Sequence, residues 1–200
     1  MNSLFQSEPI HFNLPNADIS YFPNFFDRVE ADSIFDELLN KTIWQQDNIT
    51  VYGKNHLQPR LTALYGNEGM SYSYSNIEMQ PNKWNTILTF IKNKMEINSY
   101  GNFTTVLLNL YRDGNDSNGW HADNEKELGQ NPVIASVSFG AERVFKLKHN
   151  TDKALKKSII LEHGSLLIMK GTTQHFWKHQ IPKTTKKIGS RINLTFRIIK

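Results

Sequence analysis

Phe103-Thr-Thr-Val-Leu-Leu-Asn-Leu-Tyr111 is the stretch that decides the fold. β-Branched and aromatic residues crowd it, and the turn residues Asp113-Gly114-Asn115 follow at once, as expected of a strand and its exit. Val133–Phe139, Val144–Leu147, Ile159–Leu161, Ser165–Met169 and Ile192–Ile199 have the same make-up, with Gly140, His163-Gly164 and Gly171 as punctuation. Toward the N-terminus the period changes. Asp27-Arg-Val-Glu30 reads as an N-cap with its reciprocal partner three residues on, opening a helix with a buried stripe of Val29, Ile34, Phe35, Leu38 and Leu39. A second helix is expected from near Asn82, burying Trp84, Ile87, Leu88, Ile91 and Met95. Two helices followed by many short strands predict an α+β fold whose C-terminal half is a double-sheet barrel or jelly roll. Such a barrel has an open mouth suited to a metal and a small cofactor.

With 200 residues, 38% apolar and 21% charged, the chain suits one globular domain. The opening MNSLFQSEPIHF has neither a basic start nor an apolar run, and no stretch approaches the roughly 18 apolar residues that span a bilayer. Neither a leader nor a membrane partner is therefore expected. There is no cysteine, so any metal must be held by histidine and carboxylate. Charge is divided unevenly. Residues 1–140 carry 9 Lys/Arg against 16 Asp/Glu, whereas residues 141–200 carry 14 against 3. A basic C-terminal third invites a polyanion such as nucleic acid.

His121-Ala-Asp123 follows Tyr111 by one loop. In an extended segment, side chains two apart project to the same side, so imidazole and carboxylate can grip one ion. A third ligand from a distant strand would complete a two-histidine, one-carboxylate triad, which leaves coordination positions open for other ligands. His163, His175 and His179 are the candidates. His163 precedes Gly164 in an expected tight turn, and the spacing of the other two does not choose between them. In the last strand, Arg191, Asn193, Thr195 and Arg197 share one face and Ile192, Leu194 and Phe196 the other. Two arginines on a buried face need anions, and a dicarboxylate such as 2-oxoglutarate offers two.

Six motifs occur in order: Asn109-Leu-Tyr111, Trp120-His-Ala-Asp-Asn-Glu125, Pro132–Gly140, His163–Met169, Trp177-Lys-His179 and Arg191–Arg197. Together they resemble the AlkB family of Fe(II)- and 2-oxoglutarate-dependent nucleic-acid demethylases, and most closely the subgroup that repairs duplex DNA. The likeness runs from about Val51 to Ile198. It implies a double-stranded β-helix core over residues 101–200, a recognition hairpin, lid and second helix over 51–100, and an N-terminal extension with the first helix over 1–50.

The resemblance makes His121, Asp123 and His179 the iron ligands and O2 a second cosubstrate. It assigns 2-oxoglutarate to Asn109, Tyr111, Arg191, Asn193, Thr195 and Arg197, with Arg197 on the distal carboxylate. Tyr52, Gly53 and Lys54 resemble the hairpin that probes the duplex. Arg60, Tyr65, Tyr72, Ser73 and Tyr74 resemble the lid, and Asn124 and Glu125 match positions that contact the flipped base. The activity implied is removal of N-methyl groups from 1-methyladenine and 3-methylcytosine. The substrate would be alkylated DNA, single- or double-stranded, with RNA a further candidate, and the enzyme a monomer, cytoplasmic in a bacterium or nuclear in a eukaryote. The alternative is an oxygenase of the same fold acting on RNA or protein. Tyr52 stands where the subgroup more often has a plain apolar residue, and Asn124 replaces an acid.

Overall fold

The computed structural model describes residues 8–51, 53–70, 72–74, 77–98 and 100–200. The chain starts with β1 (Ile10–His11) and β2 (Asp18–Phe22), then α1 (Arg28–Lys41). Two hairpins follow, β3 (Asn48–Val51) with β4 (Lys54–Leu57) and, beyond β5 (Leu61–Gly66), β6 (Tyr72–Tyr74) with β7 (Ile77–Met79). After α2 (Thr86–Ile97) come β8 (Thr105–Tyr111), β9 (Asn118–His121), β10 (Ile134–Gly140) and β11 (Arg143–His149). The chain continues through β12 (Lys156–Leu161), β13 (Ser165–Lys170), the short α3 (Thr173–Phe176), β14 (Trp177–Ile181) and β15 (Arg191–Arg197).

These strands form two antiparallel sheets, a major one in the order β1-β2-β13-β10-β15-β8-β5 and a minor one in the order β12-β11-β14-β9. The minor sheet packs on one face of the major sheet through Leu107, Ile134, Leu167, Phe145, Leu147, Leu161 and Trp177. Both helices pack on the other face, where Ile34, Leu38, Leu88, Ile91 and Met95 meet Val106, Val137, Leu194 and Phe196. This is the expected α+β jelly roll. Residues 101–200 do not supply all of it, because β1, β2 and β5 extend the major sheet from outside that range.

β15 shows why the arrangement holds. Ile192, Leu194 and Phe196 are fully buried against the helices, each worth about 1.5–3 kcal/mol of burial. A one-residue slip would exchange them for Arg191 and Arg197, so the register is fixed strongly. Two helix expectations are corrected. α1 has the reciprocal cap, Glu30 N–H donating to Asp27 Oδ1 at 2.8 Å and Asp27 N–H to Glu30 Oε2 at 3.2 Å. Its buried face, however, is Ala31, Ile34 and Leu38, and Val29 is 79% exposed. Five residues before Ile34, Val29 lies well round the helix from the stripe. α2 is capped by Asn85, whose side chain accepts from Leu88 N–H, three residues later than expected. Asn82 instead joins β5, donating through its side chain to the Leu64 carbonyl. Trp84, ahead of the helix, stacks on Phe196 with ring centroids 6.3 Å apart. Among the described residues, no helix is long and apolar enough to cross a membrane.

Candidate active site

Strand pairing assembles the site between the two sheets. In the minor sheet His179 of β14 lies directly opposite His121 of β9, which brings their rings to 4.2 Å between centroids. Asp123 follows two residues after the end of β9 and is 1% exposed. One ligand atom from each of His121, Asp123 and His179 lies within 4.8 Å of the others. The ion pair between Arg197 Nη2 and Asp123 Oδ1 is 2.6 Å long, and Asp123 Oδ2 is 3.6 Å from His179 Nε2. One carboxylate oxygen is thus held by the guanidinium and the other turns toward the imidazoles.

The electrostatics suit a cation. Burial holds both imidazoles below their usual range, His179 down to about 3, with the neighbouring His121 adding to the effect. Both are neutral at pH 7 and offer a lone pair. His121 Nδ1 pairs with the Gly119 carbonyl at 2.8 Å, the usual outer support of a histidine ligand, and its Nε2 lies 3.4 Å from Asn118 Nδ2 on the cavity side. Asp123 titrates well below the ordinary carboxylate range. Burial opposes that shift, and Arg197, His179 and His121 overcome it. Two neutral imidazoles and one carboxylate form a donor set that fits a divalent transition metal.

The adjoining wall comes from β15 and β8, paired so that Arg191 faces Tyr111 and Asn193 faces Asn109. Side-chain bonds tie this polar layer together. Arg60 Nε donates to Asn109 Oδ1 at 2.7 Å, Asn193 Nδ2 to Ser136 Oγ at 2.8 Å, and Thr195 Oγ1 to Asn193 Oδ1 at 3.1 Å. Arg191 is 1% exposed. Its guanidinium carbon lies 5.2 Å from the Tyr111 ring centroid, and Nη2 donates to Ser138 Oγ at 2.9 Å. Its Nε and Nη1 are buried without a hydrogen-bond acceptor. Burial lowers this guanidinium to about 10, so it is still charged at neutral pH. A buried charge with two unused donors is costly and fits a carboxylate ligand.

The structure thus brings together Asn109, Tyr111, His121, Asp123, His179, Arg191, Asn193, Thr195 and Arg197 around one cavity. Other expected residues lie elsewhere. His175 is exposed and pairs with Asn131 Oδ1 at 2.9 Å, and His163 accepts from Gly140 N–H in the β12–β13 turn. Tyr65 does not reach a lid. Its neighbour Leu64 packs between the sheets, so by strand alternation Tyr65 is buried on the helix side. Arg60 is buried beneath the site as the holder of Asn109. Arg197, engaged with Asp123, is at the metal end, which does not fit the distal role expected of it. Glu125 is half-buried and Asn124 exposed, just ahead of a single helical turn over Lys126–Leu128. Val51 pairs with Lys54, and Gly53, with φ of +74°, supplies the backbone turn at an exposed hairpin end. Tyr52 lies outside the described residues. Tyr72, Ser73 and Tyr74 form a backbone strand with β7.

Sequence reasoning missed Ser136, Ser138, Asn118, Phe145 and Gln174. Phe145 stacks on His179 at 5.1 Å, and Asn118 lines the cavity beside His121. The alternation of β10, Ala135-Ser-Val-Ser-Phe139, does carry a signal, because Ser136 and Ser138 occupy the face opposite a fully apolar one.

Comparison with known proteins agrees with this geometry. Residues 18–197 match the family model described as the 2OG-Fe(II) oxygenase superfamily. The bovine "Alpha-ketoglutarate-dependent dioxygenase alkB homolog 3" is 43% identical over 186 residues, covering 88% of this chain and 64% of that protein. The human protein of the same name is 41% identical over 190 residues, covering 90% and 66%. The chain therefore spans just under two thirds of these relatives. The human "DNA oxidative demethylase ALKBH2" is 37% identical over 199 residues, covering 94% of this chain and 76% of the relative. A solved structure described as "The structure of OsALKBH1" superposes with a TM-score of 0.69 at 16% identity, covering 96% of this chain and all of that one, a likeness of fold. With the family model matched along nearly the whole chain and the ligand and guanidinium geometry in place, the protein belongs to the AlkB family of Fe(II)- and 2-oxoglutarate-dependent oxygenases.

Proposed function

We propose that the protein removes N-methyl groups from 1-methyladenine and 3-methylcytosine in alkylated DNA, releasing formaldehyde while 2-oxoglutarate and O2 become succinate and CO2. The observation that carries this reading is the His121, Asp123 and His179 cluster beside a buried Arg191 with two unused donors. Iron bound there, with its two cosubstrates, supplies the oxidation of the methyl carbon. His121, Asp123 and His179 hold the metal. Arg191 takes the distal carboxylate of 2-oxoglutarate, while Arg197 fixes Asp123. Asn109, Tyr111, Asn193 and Thr195 line the space between the two guanidinia.

The methyl groups concerned lie on the pairing edge of the base, so the base must leave the stack to be reached. Flipping costs a few kcal/mol, less where methylation already breaks the pair, and stacking on aromatic side chains returns about 1–3 kcal/mol per base. Tyr74 is our candidate for that stacking, within a lid that includes Tyr72 and Ser73. Both target bases are cationic when methylated, which suits a carboxylate at Glu125, with Asn124 beside it. The minor sheet supports a polyanion ligand. Lys148 faces Lys156 on one neighbouring strand and Lys178 on the other, three like charges abreast that repel unless an anion lies over them.

The decisive experiment measures formaldehyde and succinate from oligonucleotides bearing 1-methyladenine or 3-methylcytosine, single- and double-stranded, with and without iron. Iron-dependent release of both products in step is expected. Turnover on methylated RNA or protein with none on DNA would move the protein to the alternative reading.

Two further outcomes follow. Tyr52→Ala should impair repair of duplex far more than of single strands, because only a duplex needs a side chain to fill the vacated position. Equal losses on both would remove the hairpin from duplex recognition. Lys183, Lys186 and Lys187 are exposed on the segment after β14, where they are placed to meet phosphates flanking the flipped nucleotide. Each neutralised phosphate adds about 0.7–0.9 to the salt slope of binding, so a triple alanine variant should flatten it by about 2–3 units and weaken all sequences alike. Unaltered DNA affinity at low salt would show that these lysines touch nothing.

A further inference from the structure

Gln174 is 1% exposed, and the mechanism above gives it no role. Burying a primary amide is costly unless both of its ends find partners, and here both do. Oε1 accepts the backbone N–H of Asp123 at 2.9 Å, and Nε2 faces the Met169 sulfur at 3.6 Å. Asp123 lies beyond the last residue of β9, so sheet pairing does not hold its backbone. The amide of Gln174 takes the place of a ladder bond.

We propose that Gln174 is a positioning residue for the metal site, acting through the backbone of Asp123 to keep its carboxylate aimed at the two imidazoles. This rests on the reading that His121, Asp123 and His179 hold a divalent metal. α3, which carries Gln174, is itself anchored. Asp18 N–H donates to Thr173 Oγ1 at 2.9 Å, and Thr173 Oγ1 donates to the Lys170 carbonyl at 2.6 Å. Just after α3, Trp177 Nε1 donates to the Pro15 carbonyl at 2.8 Å. Trp177 opens β14, so the same turn sets Asp123 through Gln174 and His179 along the strand. The segment Pro15–Asp18, which bears no motif of its own, thereby braces two of the three ligands.

The test uses Gln174→Met, which keeps length and apolar volume but removes the acceptor. Mn(II), a redox-stable probe, is titrated into metal-stripped protein without cosubstrate and well below the melting temperature. Loss of an outer-shell partner typically weakens metal binding about 10- to 100-fold, and that loss is expected here. Leu38→Ala, a core change on the far side of the major sheet, should destabilise the protein yet bind Mn(II) as wild type does. That separates positioning from general loosening. Met169→Leu removes only the other contact of the amide and should also bind normally. If Gln174→Met does not fold, Gln174→Asn, which draws the carbonyl back by one methylene, is read in the same way. Wild-type affinity in whichever variant folds overturns the inference and leaves the metal site standing. If wild type does not bind Mn(II), or if His121→Ala binds it equally well, the metal reading itself fails and takes the inference with it.

Discussion

Alanine at His121 or His179 is expected to abolish formaldehyde release while leaving the fold intact. Two remaining ligands hold a divalent cation poorly, so metal affinity should fall by more than the roughly 10- to 100-fold that loss of an outer partner costs. His121 is only half-buried, whereas His179 stacks on Phe145 of the apolar core at 5.1 Å, so of the two a modest stability cost is expected at His179 alone. Asp123 needs two variants. Asp123→Ala deprives the buried Arg197 of its 2.6 Å carboxylate partner and so carries a stability cost as well. Asp123→Asn keeps the shape and loses the charge, which isolates the effect on the metal. Metal titration, melting temperature and product release should be measured on each. His175→Ala is the control, an exposed residue bonded to Asn131 that should keep full activity. Activity in His179→Ala together with its loss in His175→Ala would overturn the ligand set.

Arg191→Met should raise the Kd for 2-oxoglutarate steeply while leaving metal and DNA affinities close to wild type. Losing one member of a desolvated charge-assisted pair costs about 2–5 kcal/mol, or roughly 30-fold to a few thousand-fold in Kd. The cosubstrate-free protein should not suffer in proportion. Arg191 Nη2 donates to Ser138 Oγ, and its Nε and Nη1 have no acceptor to lose. Arg197→Met should behave differently, because its partner is the metal-side carboxylate, and weakened metal binding should come first. Cosubstrate titrations at saturating Mn(II), in parallel with metal titrations, distinguish the two. An unchanged 2-oxoglutarate Kd in Arg191→Met would remove Arg191 from the distal position.

Much of this was legible in the residues. The turn-bounded runs after residue 100 are strands, and the alternation of Arg191–Arg197 gave both faces of β15 correctly, because a half-polar strand can turn only its apolar face to the helices and its polar face to the site cavity. β9 and β14, which carry the imidazoles, did not stand out from the chain. In Trp177-Lys-His-Gln-Ile181 a histidine occupies an inward position, so the apolar alternation that marks a strand is broken by the residue that matters. Tyr65 is assigned to the lid by resemblance alone. Only its strand phase, with Leu64 facing the other sheet, puts it among the core.

The sequence by itself determined the fold class, the chemical types of the ligands and the presence of two guanidinia on one buried face. Each follows from local periodicity and residue chemistry, which do not depend on what lies across the chain. Spacing leaves His175 and His179 open, and only the family resemblance chooses His179. The tertiary structure sets His179 opposite His121 through the β9–β14 register, across nearly sixty residues of chain. It also decided which arginine meets the metal-side carboxylate, and that a glutamine beside Met169 holds the backbone of Asp123. Such pairings are set by the packing of two sheets and by the hydrogen bonds that buried polar groups must find there, and residue order alone does not encode them.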